Sequence, residues 1–130
     1  MRAVLDASAA VDALLPSARR AAVLHHIREA ELWAPGLVDS ELLSAFARLE
    51  RAGAISAREG TDALGEWSLL RCQRVPGELL LQDAWSRRAA LRVSDAQYVA
   101  LADRLGAPLL TSDARLARAP VGQVKIQLIQ

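Results

Sequence analysis

Apolar positions change period repeatedly along the chain, and each change marks an element. Arg2-Ala3-Val4-Leu5-Asp6 is a short apolar run closed by an acid, and it reads as a buried strand. Ser8 to Leu15 then takes helical spacing until Pro16 stops it. Ser17 to Ala30 reads as a second helix, with Ala21, Leu24, Ile27 and Arg28 along or beside its apolar side. Leu32-Trp33-Ala34 is a brief strand closed by Pro35-Gly36. From Leu37 to Ala52, Val38, Leu42, Ala45, Phe46 and Leu49 recur on one helical stripe, and Gly53 supplies the stop. Ser56 to Arg71 reads as a helix opened by Ser56 and Glu59 in capping-box register and weakened by Gly60 and Gly65.

The second half continues the alternation. Gln73-Arg74-Val75 before Pro76-Gly77 predicts a short edge strand. Glu78 to Leu91 is rich in Leu and Ala and reads as a helix carrying Trp85. The next helix opens at Arg92-Val93-Ser94-Asp95 and ends at Gly106, with Tyr98, Val99, Ala102 and Leu105 on its apolar stripe. Ala107 to Asp113 is a second strand that ends in an acid, followed by a helical turn from Ala114 to Ala119. Val124 to Ile129 alternates and closes the chain as a strand. Strands alternating with helices predict an α/β fold with a mostly parallel central sheet and helices on both faces. The 130 residues suit one domain, 1–130, with a real core.

Composition narrows the function classes. Hydrophobic residues make up 52% of the chain, yet mean hydropathy is only +0.14. No apolar run approaches the length of a membrane span, and Asp6 interrupts the only stretch resembling a signal peptide. A single cysteine, Cys72, excludes an internal disulfide and a cysteine-based metal cluster. A cytoplasmic protein with no membrane partner is expected. The net charge of +1 does not announce a nucleic-acid binder. The cations are almost all arginine, which suits bidentate phosphate contacts, although a G+C-rich genome gives the same bias.

Four acids carry the candidate chemistry. Asp6 and Asp113 end strands, where an open α/β sheet places its ligand crevice. Asp95 and Glu41 stand at the starts of helices, on or at the edge of an apolar stripe. Each has a plain alternative: Asp6 as a helix cap, Asp95 bonded to its own helix end, Glu41 as a solvated helix acid, and Asp113 in an Asx turn. Asp39, two residues before Glu41, could face the site in its place. Together, carboxylates at one sheet edge repel unless cations neutralise them, and oxygen donors without His or Cys suit Mg²⁺ or Mn²⁺. His25 and His26 are adjacent, about 100° apart on a helix, and do not make the i, i+4 pair of a metal site.

Val4-Leu5-Asp6-Ala7-Ser8-Ala9, Val38-Asp39-Ser40-Glu41-Leu42, Ser94-Asp95-Ala96 and Leu109-Leu110-Thr111-Ser112-Asp113, in that order, resemble the PIN-domain nucleases. More closely, the chain is similar to the VapC toxins of bacterial type II toxin–antitoxin systems. The resemblance implies a PIN-like three-layer α/β/α sandwich and an endoribonuclease dependent on Mg²⁺, for which Mn²⁺ may substitute. Carried over, Asp6 and Asp95 would be the principal metal ligands, and Asp113 would complete the site. Glu41 would bind metal or orient water, with Ser8 and Thr111 as supporting hydroxyls. The products would be a 5′-phosphate and a 3′-hydroxyl. The implied partners are RNA, tRNA or rRNA in kind, a cognate VapB-type antitoxin that covers the acidic site, and a second copy in a homodimer.

Two rivals belong to other classes. The same fold could keep its acids to bind an antitoxin or RNA without catalysis. A phosphoacceptor receiver domain would need an acid pair after the first strand and a lysine at the end of a late strand. Asp6 is followed by Ala7, and Lys125, the only lysine, lies inside the last strand. Candidate phosphate contacts are Arg71, Arg74, Arg87, Arg88, Arg115 and Arg118. Trp33, Trp67 and Trp85 all fall in segments that read as core, which leaves few rings for base stacking.

Overall fold

A computed structural model describes residues 1–130. Its five strands are β1 (Arg2–Leu5), β2 (Glu31–Pro35), β3 (Cys72–Val75), β4 (Leu109–Thr111) and β5 (Ile126–Leu128). All pair in parallel, in the order β3-β2-β1-β4-β5. The sheet is therefore wholly parallel, and β3 is an edge strand as its flanking Pro76 predicts. In β1, Ala3, Val4 and Leu5 are fully buried, as both-face coverage requires.

Helices α1 (Ala7–Leu14), α2 (Arg20–Ile27), α3 (Val38–Arg51) and α4 (Ala57–Leu69) fall in the β1–β2 and β2–β3 connections. Here α1 packs against α2, α3 and α4. After β3, the chain turns back past β1 through a 3-10 turn (Gly77–Leu79), α5 (Leu81–Ser86) and α6 (Val93–Leu105), then enters β4. A short α7 (Ala114–Ala117) precedes β5. Right-handed crossovers put the two sets of helices on opposite faces. The strand order reverses between β1 and β4, and the carboxyl ends of strands flanking such a reversal frame a crevice. Their register is fixed by Val4 N–H donating to Pro108 O and Asp6 N–H to Leu110 O, both at 2.9 Å.

Local chemistry sets two helix ends plainly. Ser56 and Glu59 form a complete capping box at α4, with bonds of 3.0 and 2.8 Å. Gly106 ends α6 in the left-handed region at φ 59°, and Ala107 N–H reaches back to Ala102 O in the 6→1 bond of a Schellman turn. The α6 stripe is wider than its sequence predicts. Ala96, Tyr98, Val99, Ala100, Leu101 and Ala102 are all buried, because the sheet covers one side and α5 the other, while Leu105 is only half-buried.

Three expectations fail. The helix read from Ser17 to Ala30 begins only at Arg20 and buries Val23 and Ile27, while Ala21 and Leu24 are exposed. Ser17 Oγ bonds Asp12 O at the end of α1, and no side chain caps the start of α2. The helix read from Glu78 to Leu91 survives only as α5, because its ends close in i→i+3 turns such as Leu80 N–H to Gly77 O and Ala90 N–H to Arg87 O. Only part of the segment is core: Leu80, Ala84 and Leu91 are buried, while Leu79 and Leu81 are exposed, and so is Trp85 at 60%. Trp85 instead carries the Arg88 guanidinium 4.2 Å from its ring centre. Trp67 is buried and Trp33 half-buried. No helix is long and apolar enough to cross a membrane.

Candidate active site

The four acids arrive from four separate segments at one cleft of about 440 Å³. Asp6 follows β1 and is 7% exposed, Glu41 lies in the first turn of α3, Asp95 lies in the first turn of α6 and is 8% exposed, and Asp113 follows β4. Ser8, Arg48 and Arg92 line the same cleft. Thr111 sits directly beneath it, with no exposed surface.

Asp6 stands at the N-cap position of α1 but makes no capping bond. Its Oδ2 instead accepts from Ser8 Oγ at 2.6 Å and Thr111 Oγ1 at 2.7 Å. Each hydroxyl has one proton and spends it on Asp6, so the 3.1 Å approach of the two oxygens is a contact between acceptors. Their remaining lone pairs take Ser112 N–H at 3.1 Å and Asp113 N–H at 3.0 Å. The relay ties the end of β1 to the end of β4. Oδ1 of Asp6 has no hydrogen bond in the chain. Burial pushes the Asp6 carboxyl above its usual range, the two hydroxyls oppose the shift, and Asp95 and Asp113 add to it.

Glu41 Oε1 accepts from Tyr98 Oη at 2.6 Å. Burial raises the Glu41 carboxyl, Tyr98 and Arg92 oppose this, and Asp6 and Asp95 add to it. Burial and the facing carboxylate push the Tyr98 phenol far up, so it stays a donor. Tyr98 reads as core from the sequence. Its signal was its place one turn after Asp95 on the same face. Asp39 is settled otherwise: its carboxylate takes Trp67 Nε1 at 2.7 Å and the fork of Arg74 at 2.8 and 3.2 Å, away from the cleft. The Arg74 bonds hold Asp39 below the usual carboxylate range.

Asp113 does cap α7, through Oδ1 to Arg115 N–H at 2.9 Å. Its Oδ2 and Asp95 Oδ2 are each 2.9 Å from Arg115 Nη2, and Arg92 Nε is 3.4 Å from Asp95 Oδ2. As the side chains stand, no three acidic groups gather around one point at bonding distance. A guanidinium fills the gap between two of them. The donor set still fits a hard divalent cation: four carboxylates, three of them (Asp6, Glu41 and Asp95) with an oxygen free of hydrogen bonds, no His or Cys among them, and Asp6 and Glu41 raised by burial with repulsion from neighbouring acids adding to it.

The remaining candidates lie elsewhere. Arg74 is held by Asp39, and Arg87 by Asp83 and Asp103. His25 is exposed, and His26 faces Ala22 O at 2.8 Å. Cys72 is buried, with its thiol pushed up to about 11 by burial.

The PIN domain family matches residues 3–122. Ribonuclease VapC3 of Mycobacterium tuberculosis is 44% identical over 117 residues, 89% of this chain and 85% of that protein. The chain belongs to the PIN-domain family, among its VapC ribonucleases. Ribonuclease VapC9 of the same species is 38% identical across 97% of both chains. Solved structures share the fold. VapBC2 from Rickettsia felis, bound to a DNA fragment from its promoter, matches with TM-score 0.66 at 14% identity over 100% of both chains. M. tuberculosis VapC20, described as a sarcin–ricin loop cleaving toxin, matches with TM-score 0.63 at 17% identity over 88% of this chain and 92% of that one. PIN-domain ribonucleases are in general dependent on divalent metal, and the oxygen-only donor set of this VapC chain agrees with that.

Proposed function

We propose that residues 1–130 form one catalytic domain, the toxin of a toxin–antitoxin pair, an endoribonuclease that hydrolyses RNA with Mg²⁺, or Mn²⁺ in its place. The observation that carries this reading is the convergence of Asp6, Glu41, Asp95 and Asp113 on one cleft in a chain 44% identical to a ribonuclease. Asp6 and Asp95 are the principal ligands, and Asp113 completes the set directly or through water. When bound, the ion lowers the pKa of water and stabilises charge on the attacking and leaving oxygens of an in-line displacement.

The chain's own groups do the rest. Ser8 and Thr111 fix Asp6 with Oδ1 left open. Tyr98 fixes Glu41, which binds metal or accepts a proton from the attacking water. Arg48, on the cleft wall with no acidic partner, draws the RNA backbone in. The products are a 5′-phosphate and a 3′-hydroxyl. We assign tRNA or rRNA as the substrate and a VapB-type antitoxin as the partner over the acidic cleft. A homodimer is the working form. The RNA substrate and the antitoxin partner draw support from the VapC and VapBC relatives and from the acidity of the cleft.

Total bacterial RNA, incubated with antitoxin-free protein in Mg²⁺, Mn²⁺ or EDTA, tests the reading. Discrete metal-dependent cuts, lost in Asp95→Asn with its fold intact, are expected. A second reading draws on Arg115: an acidic pocket that already holds a guanidinium suits a non-catalytic module binding an antitoxin's basic side chain. Absence of both cleavage and divalent-ion binding would favour that module and sink the nuclease.

A further inference from the structure

Arg115 is the second residue of α7, and its Nη2 lies between Asp95 Oδ2 and Asp113 Oδ2, 2.9 Å from each. It offsets the repulsion of two cleft acids where a divalent cation is needed. It is nevertheless a loose plug. Its side chain is 48% exposed, and no third acid holds it. Its backbone N–H is bonded separately to Asp113 Oδ1, so the helix start stays capped wherever the guanidinium goes. Two cations at bonding distance from the same oxygens repel each other. An ion taking Asp95 and Asp113 therefore displaces the guanidinium but leaves it tethered at the cleft rim. The anion arriving there with substrate is a phosphate, whose oxygens match the guanidinium fork.

We propose that Arg115 alternates between two anions, an inference that rests on the nuclease reading above. Without a divalent cation it is the counter-ion of Asp95 and Asp113. With one bound, it is released to the RNA phosphate beside the scissile bond. The first station weakens metal binding by competition, and the second adds a phosphate contact only when metal is present.

Calorimetric titration of RNA-free protein with Mn²⁺ tests the first station. Arg115→Gln is expected to bind Mn²⁺ about fivefold more tightly, the worth of an exposed ion pair, while Arg115→Lys stays near the parent. Filter binding of total bacterial RNA at several salt concentrations tests the second, with Ca²⁺ or with EDTA and the RNA checked intact on gels. In Ca²⁺ the slope of log affinity against log salt should be shallower for Arg115→Gln by about 0.7, one phosphate contact on a single strand. In EDTA the two slopes should agree. Circular dichroism checks that each variant is folded. Unchanged or weaker Mn²⁺ binding by folded Arg115→Gln overturns the proposal, as do equal slopes in Ca²⁺. If the parent itself binds no Mn²⁺, the nuclease reading fails as well. If the parent binds and the variant is indistinguishable, only the assignment of Arg115 fails.

Discussion

Thr111→Val isolates the hydroxyl beneath the cleft. The substitution keeps the shape of a fully buried side chain at the end of β4, so it opens no cavity. It removes the 2.7 Å bond to Asp6 Oδ2 and the acceptor for Asp113 N–H at 3.0 Å. A hydrogen bond to a charged group contributes about 1.5–3 kcal/mol, and stranding a backbone donor costs about 1 kcal/mol more. The added methyl returns up to about 0.8 kcal/mol. The net cost near neutral pH is therefore about 2–3 kcal/mol in metal-free protein.

The same bond opposes the upward shift of Asp6, so the variant raises that carboxyl further. A carboxyl raised on folding contributes stability below its ordinary value of 3.8, and this is lost as pH climbs through the folded value. Once Asp6 is protonated it no longer needs two donors, so the deficit of Thr111→Val shrinks on acidification. Urea unfolding of parent and variant in EDTA, at about pH 7 and about pH 4, reads both effects. A deficit below about 0.5 kcal/mol at neutral pH, or one independent of pH, would refute the argument. RNA cleavage by the variant should fall, but less than in Asp95→Asn.

Tyr98→Phe should cost about 1.5–3 kcal/mol by stripping Glu41 of its donor, and should slow cleavage with little change in KM; an unaltered kcat counts against a role for Glu41. Asp39→Asn should leave cleavage unchanged and cost only about 0.5–1 kcal/mol, because the Arg74 pair is partly exposed. The Asp39 carboxyl is depressed on folding, so its contribution is present above 3.8 and lost as pH falls through the folded value, which pH-dependent unfolding of the two proteins can follow. Trp67→Ala should cost about 3–5 kcal/mol as a buried ring, and Trp85→Ala under about 1 kcal/mol; equal thermal shifts would contradict the exposure of Trp85.

The alternation of strands and helices was legible because the central strands are short runs rich in apolar residues and the edge strands are short segments set off by Pro or by alternation. The four acids were legible as a set because strand ends and the helix starts that follow them share one edge of such a sheet. What the sequence hid were properties decided by partners far along the chain. Glu41 and Asp39 are two residues apart, and only the meeting of α3 with α4 and β3 shows that Trp67 and Arg74 take Asp39. Tyr98 looks like core because its ring is core; its hydroxyl alone belongs to the site. The stretch from Glu78 to Leu91 has helical composition throughout, yet i→i+3 turns leave only six residues of α-helix in it.

The cleft gathers negative charge that the fold alone would not tolerate, and it answers that charge in three ways of different permanence. Asp6 is held by two hydroxyls on rigid neighbours, one of them wholly buried. Glu41 is held by a buried phenol whose proton is secure. Both arrangements orient a carboxylate without adding a positive charge, so they persist when a cation arrives. Asp95 and Asp113 are held by a half-exposed guanidinium, which does add charge and, in the proposed exchange, yields to a cation. This order of permanence suits the proposed metal-dependent hydrolysis: Asp6 and Glu41 stay oriented with no positive charge beside them, and the counter-ion between Asp95 and Asp113 is the one an incoming cation would displace.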